Sequence, residues 1–97
     1  MSRRSVFRFR LYVAGNAQNS LQAVANLNAI CRAHLADRHE IEVVDVFGEP
    51  KRALAEGILM TPTLIKLSPS PVRRIVGTLS QTQVVLQTLG LHDAVPA

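Results

Sequence analysis

Between Val6 and Val13 apolar and polar residues alternate, with Phe7, Phe9, Leu11 and Val13 on one side and Arg8, Arg10 and Tyr12 on the other. A period of two is that of a strand with one face against a core. After the polar turn Ala14–Ser20 the period changes: Leu21, Val24, Leu27, Cys31 and Leu35 recur at three and four residues. This predicts an amphipathic helix over about 20–36, with Asn19 or Ser20 placed to cap it. Asp37–Glu40 is a polar turn, and Ile41–Val46, rich in β-branched residues, reads as a second strand short enough to be central in a sheet. Pro50 suits the first position of a helix and Gly57 its end, so Lys51–Glu56 forms a helix of only a turn and a half.

The stretch Met60–Gly77 organises the rest, because three of the five prolines lie in it between two short apolar runs. Thr63–Leu67 and Val72–Val76 have strand composition, and Ser68-Pro-Ser-Pro71 suits a hairpin connection that avoids ladder donation at each proline. Pro62 stands just before the first of these strands, where an X-Pro bond can be cis at small cost. Ser80 and Gln83 have capping-box spacing and Leu79 and Val84 stand at the staple positions. A third helix is therefore expected from Ser80, carrying Val84, Val85, Leu86 and Leu89 and ending near Gly90, with 92–97 as a frayed tail. The order β-α-β-α-β-β-α implies one α/β domain over 1–97, its core at about 6–91. A parallel pair from β-α-β joined to a terminal hairpin is the thioredoxin-like arrangement, since right-handed crossovers leave few alternatives. Thr61-Pro-Thr63 also resembles the cis-proline position of thioredoxin-like domains.

Composition narrows the function. Hydrophobic residues make up 47% with no Trp, so a core of Val, Leu, Ile and Ala is expected, with Phe7, Phe9 and Phe47 as its bulkiest pieces. No run is long enough to cross a membrane and the Met-Ser-Arg-Arg start lacks an apolar signal region, so a cytoplasmic location is expected. The net charge of +4 is spread singly or in pairs, without a basic helix or an aromatic ladder, which argues against nucleic acid and suits an acidic protein partner. The single cysteine, Cys31, excludes an internal disulfide and falls in a helical pattern as a small core residue.

Catalytic constellations are missing where this fold would carry them. The loop before the first helix would bear Cys-x-x-Cys in a redox enzyme, because a helix N-terminus stabilises the attacking thiolate. Here Asn16 and Asn19 have that spacing and neither forms a disulfide. An alternative is a glutathione- or thiol-handling enzyme or binding module, with Ser20 polarising a thiol and the backbone before Pro62 holding a peptide. His34, His39 and His92 have no metal spacing, and His34 is expected as a partly buried packing residue. Glu40 and Glu42 share one strand face and Asp45 lies on the other, a solvated edge rather than an acid–base pair. No phosphate-binding glycine loop is present, and neither a cofactor nor a metal is expected.

Leu11-Tyr-Val-Ala-Gly-Asn16, Asn19-Ser20, Val44-Asp-Val46 with Pro50, Ile58-Leu59, Thr61-Pro-Thr-Leu64, Pro69, and Pro71-Val-Arg-Arg-Ile75 with Gly77 and Leu79-Ser80 together resemble the KaiB family over about residues 6–91. The resemblance implies a non-enzymatic regulator that docks on the N-terminal ATPase ring of a KaiC-type protein, in a circadian clock or a clock-like or stress system. Through that ring it would control other partners, such as a KaiA-like protein or a histidine kinase. It further implies metamorphism, in which a tetrameric ground form and a monomeric thioredoxin-like form differ in the C-terminal half. Pro62, Pro69 and Pro71 bracket that segment, and proline isomerisation takes seconds to minutes.

The chain departs from the family pattern at Gly57, Thr78 and Thr88-Leu89-Gly90, and lacks an acidic tail. Helix propensity through Thr88 leads us to expect the thioredoxin-like form as the more populated one. The partner-binding surface is placed on Glu49, Pro50, Lys51 and Arg52 with Arg73 and Arg74 nearby, only one of the two arginines facing a given partner. The other arginine could pair with Asp45 or Glu42. A sensory module like the KaiB-like domain of clock-associated kinases is a further reading, which the end at residue 97 argues against. Exposed strand edges leave a homo-oligomer, dimer or tetramer, open.

Overall fold

The computed structural model describes residues 5–91. Four strands and three helices follow in the order β1 (Phe7–Val13), α1 (Gln18–His34), β2 (His39–Asp45), α2 (Pro50–Ala55), β3 (Thr63–Ser68), β4 (Arg73–Val76) and α3 (Thr82–Leu89). The sheet order is β2-β1-β3-β4, with β1 parallel to β2 and antiparallel to β3, and β3 antiparallel to β4. This is the thioredoxin-like arrangement that the pattern implies. The expected tail at 92–97 lies outside the described residues.

The alternation in β1 sorts the two faces. Phe7, Phe9, Leu11 and Val13 join Leu64, Ala23, Leu27, Ile30, Cys31, Leu35 and the α3 residues Val85, Leu86 and Leu89 in one core. On the other face Tyr12, Val44 and Ile65 pack with Ala53 of α2, with Val46, Ile58 and Leu67 at the margin. Because α2 is six residues long, it covers only the end of the sheet near Tyr12. At the other end Arg8, Arg10, Glu40 and Glu42 line an open depression. The peptide bonds before Pro62, Pro69 and Pro71 are all cis.

Several local expectations are corrected. β2 is an edge strand, not a central one, because the sheet grows past β1 toward the hairpin. α1 starts at Gln18 with Ala17 as its cap and no capping side chain. Ser20 sits in its first turn, buried, and its hydroxyl accepts the Ala14 N–H at 3.0 Å, so it anchors the preceding loop instead of capping the helix. The buried stripe of α1 runs through Ser20, Ala23, Leu27, Ile30 and Cys31, leaving Leu21 and His34 exposed. α3 likewise lacks its capping box: Ser80 Oγ accepts the Thr78 hydroxyl and the helix begins two residues later, at Thr82. The staple also fails, since Leu79 is buried and Val84 is 54% exposed.

Gly90 ends α3 in the left-handed conformation, φ +77°, and the Leu91 N–H returns to Leu86 O at 2.7 Å. Leu91 is thereby folded back into the main core. The largest correction is Phe47, which is 75% exposed and not a core residue.

Candidate partner-binding surface

The loop leading into α2 is built around Asp45. Its Oδ1 accepts the backbone N–H of Gly15 and of Phe47, both at 3.0 Å, and its carbonyl accepts those of Gly48 and Glu49 at 3.0 and 2.9 Å. One carboxylate thus ties the loop after β1 to the turn after β2. Gly15 has φ +53°, and a Cβ there would sit 3.5 Å from the Phe47 ring, so the exposed phenyl lies beside that loop. Pro50 then starts α2 with its φ preset for the helix.

Glu49, Pro50 and Lys51 are exposed at the N-terminal end of α2. Arg52 turns toward the sheet: its guanidinium reaches both oxygens of Glu42 at 2.9 and 3.0 Å and Glu49 at 3.3 Å. Arg10 Nε donates to the same Glu42 at 2.8 Å. These hydrogen bonds, Arg52's first and Arg10's second, hold the Glu42 carboxyl down at about 2 and raise the Arg52 and Arg10 guanidiniums. Arg8 and Glu40 repeat the pairing one register step along, at 3.4 Å. Glu40 and Glu42 of β2 are therefore the partners of a basic ladder on β1, while Asp45 holds loop backbone.

The two hairpin arginines separate. Arg74 pairs with Ile65 across β3 and so lies on the α2 face, where it donates to Glu56 O at 2.6 Å and approaches the Glu56 carboxylate at 3.8 Å. Arg73 pairs with Lys66 and lies on the α1/α3 face, with no ion pair among the described residues. Neither meets Asp45 or Glu42, because β4 and β2 are opposite edges of the sheet. The surface expected from sequence thus resolves into an N-terminal patch at Glu49, Pro50, Lys51 and Arg52, a C-terminal contact at Arg74, and Arg73 on the far face.

Lys66 was missed by sequence reasoning. It is 3% exposed, its ammonium donates to Leu89 O at 3.3 Å and lies 5.7 Å from the centre of the Phe7 ring. Burial, followed by the charge of Arg73, lowers its pKa. A lysine inside the run Leu64-Ile65-Lys66-Leu67 was the available signal, and what it binds is the C-terminus of α3, where carbonyls await a donor.

Cys31 is fully buried in the main core, and burial pushes its thiol up to about 11. Among the described residues no group of three His, Cys, Asp or Glu could hold a metal ion, and no helix is long and apolar enough to cross a membrane.

Comparison with known proteins decides the family. The KaiB domain model matches residues 10–91. The chain belongs to the KaiB family. It is 49% identical over 87 residues to the circadian clock protein KaiB3 of Synechocystis sp., covering 90% of this chain and 82% of the relative. The circadian clock oscillator protein KaiB of Prochlorococcus marinus is 44% identical over 91 residues, covering 94% and 76%.

Solved structures bear on the fold alone. The N-terminal domain of Synechococcus elongatus SasA superposes with a TM-score of 0.72 at 18% identity, over 99% of this chain and 94% of that one. Mitochondrial thioredoxin 3 of Saccharomyces cerevisiae gives 0.70 at 15% identity, over 91% and 81%. KaiB-family membership and thioredoxin-like architecture thus agree with what the residues implied.

Proposed function

We propose that this protein is a non-enzymatic regulator in a circadian-clock or clock-like system, acting by docking on the ATPase ring of a KaiC-type protein. The observation that carries the reading is the match to clock proteins along most of both chains, 49% identical for one of them. The exposed N-terminal end of α2, with Glu49, Pro50 and Lys51 presented and Arg52 locking the helix to the sheet, supports it as the docking surface. Arg74 extends that surface, and Arg73 serves only a partner that wraps the β4 edge.

The binding form is the thioredoxin-like one, and it is the more populated form in solution. The αL stop at Gly90 and the Lys66 bond to Leu89 O favour helix over Thr82–Leu89. Backbone chemical shifts that read strand across this segment would overturn that part.

Gel filtration of the protein mixed with the KaiC-type ATPase of its own host, with ATP or ADP and sampled from minutes to hours, tests the main reading. Co-elution is expected, and its loss in Lys51→Ala with the fold intact assigns the interface to α2. Absence of a complex under every nucleotide condition removes the reading.

A further inference from the structure

β4 is an edge strand of the sheet, and an open groove lies beside it. Gly77 donates to Pro62 O at 2.9 Å, which marks Pro62 and Gly77 as a hydrogen-bonded pair. Alternation along an antiparallel ladder then makes Leu64–Ile75 and Lys66–Arg73 the hydrogen-bonded pairs. The N–H and C=O of Arg74 and Val76 consequently point away from β3, and no loop hydrogen bond among the described residues uses them.

Their side chains share the α2 face, where Ile58, Leu59, Met60, Thr63, Arg74 and Val76 line an open groove. Leu59 is 93% exposed, Met60 63% and Val76 56%. An unpaired edge beside apolar residues this exposed is a template for an added strand.

We infer that this edge takes an extended segment of a partner protein with the pattern apolar, any, acidic, acidic. In antiparallel addition, the apolar residue lies opposite Val76, in the groove with Leu59 and Met60. The two acidic residues lie opposite Arg74 and Arg73, one on each face. Charge selects this occupant over a second copy of the chain, since self-pairing would gather four arginines on one short ribbon with only Glu56 beside each Arg74, whereas an acidic strand gives Arg73, which has no ion pair among the described residues, a carboxylate and Arg74 a second one. The inference does not depend on ring docking, and its test contains no ring protein.

The probe is a peptide of about ten residues with Val-Thr-Glu-Glu at its centre, titrated into the full chain by NMR and fluorescence anisotropy. Binding with a Kd on the order of 100 µM is expected for so short a ribbon. It should weaken severalfold when salt rises from about 50 to 300 mM, with the largest shifts at the Arg74 and Val76 amides. Val76→Pro removes an outward N–H without touching the bonds to β3, and should weaken binding at least tenfold. The double variant Arg73→Glu, Arg74→Glu should reject this peptide and accept its Lys-Lys counterpart, which decides the matter if the proline variant fails to fold. The inference is overturned if a scrambled peptide binds equally, or if Val76→Pro or the charge exchange changes nothing. It is also overturned if sedimentation shows a dimer of this chain that Val76→Pro dissolves, which would give the edge to a second copy.

Discussion

The two faces of the sheet differ in how completely they are covered. On one, α1 and α3 lie across the whole of β1, and Phe9, Leu11, Leu27, Leu64 and Leu89 are sealed at 1% exposure or less. On the other, the six-residue α2 shields Tyr12 and Val44, while arginine–glutamate pairs line the β1–β2 side and an open apolar groove the β4 side. The first face holds the fold together, and the second leaves charged and apolar groups available to a partner. A helix too short to cover its sheet leaves part of that layer open to solvent.

Truncating the sealed face should have the largest effect. Phe9→Ala is expected to cost about 3–5 kcal/mol, by loss of transfer free energy and a residual cavity, read as a shift in the urea midpoint. Leu54→Ala on α2, where the leucine is 81% exposed, should stay within about 0.5 kcal/mol and serves as its counterpart. Equal costs would contradict the division between the faces.

The two faces should also respond to pH in different windows, the sealed face in alkali and the open face in acid. Lys66, on the sealed face, has a folded pKa below its ordinary value of 10.5 because of burial. The unfolded chain then holds more protons between the two values, so stability rises with pH through that alkaline window. Lys66→Met should abolish the rise in denaturation midpoints.

Glu42, on the open face, is held at about 2 against an ordinary 4.5, so its contribution is complete above 4.5 and is lost as pH falls toward 2. Its side chain is 48% exposed, and solvent screening keeps this contribution under about 1 kcal/mol. Glu42→Gln should flatten that acid slope, most visibly at low salt.

The smallest signal concerns Cys31. The native thiol should be inert to a thiol reagent at pH 8 and react at the unfolded rate once urea crosses the transition. Rapid native labelling would place the sulfur at a surface and reopen the thiol-handling reading.

Element order was legible because period two in β1, the three-and-four spacing in α1 and the proline-rich hairpin each fix a local structure. Family-bearing runs such as Leu11–Asn16 and Pro71–Ile75 were equally legible. What failed were assignments that need a third dimension. Ser20 and Ser80 carry cap chemistry, but the hydroxyl of each is engaged by the preceding loop. Phe47 has core chemistry, yet it follows the end of an edge strand, where no second layer covers it.

The sequence by itself determined the strands and helices, the apolar face of β1 and the absence of a Cys-x-x-Cys, since these depend on residue type and spacing. Only the tertiary structure decided that Arg52 and Arg10 converge on one glutamate, that Arg73 and Arg74 face opposite ways, and that Lys66 closes α3. Each depends on strand order and register, which bring together residues 10, 42 and 52, or 66 and 89, whose spacing along the chain carries no signal.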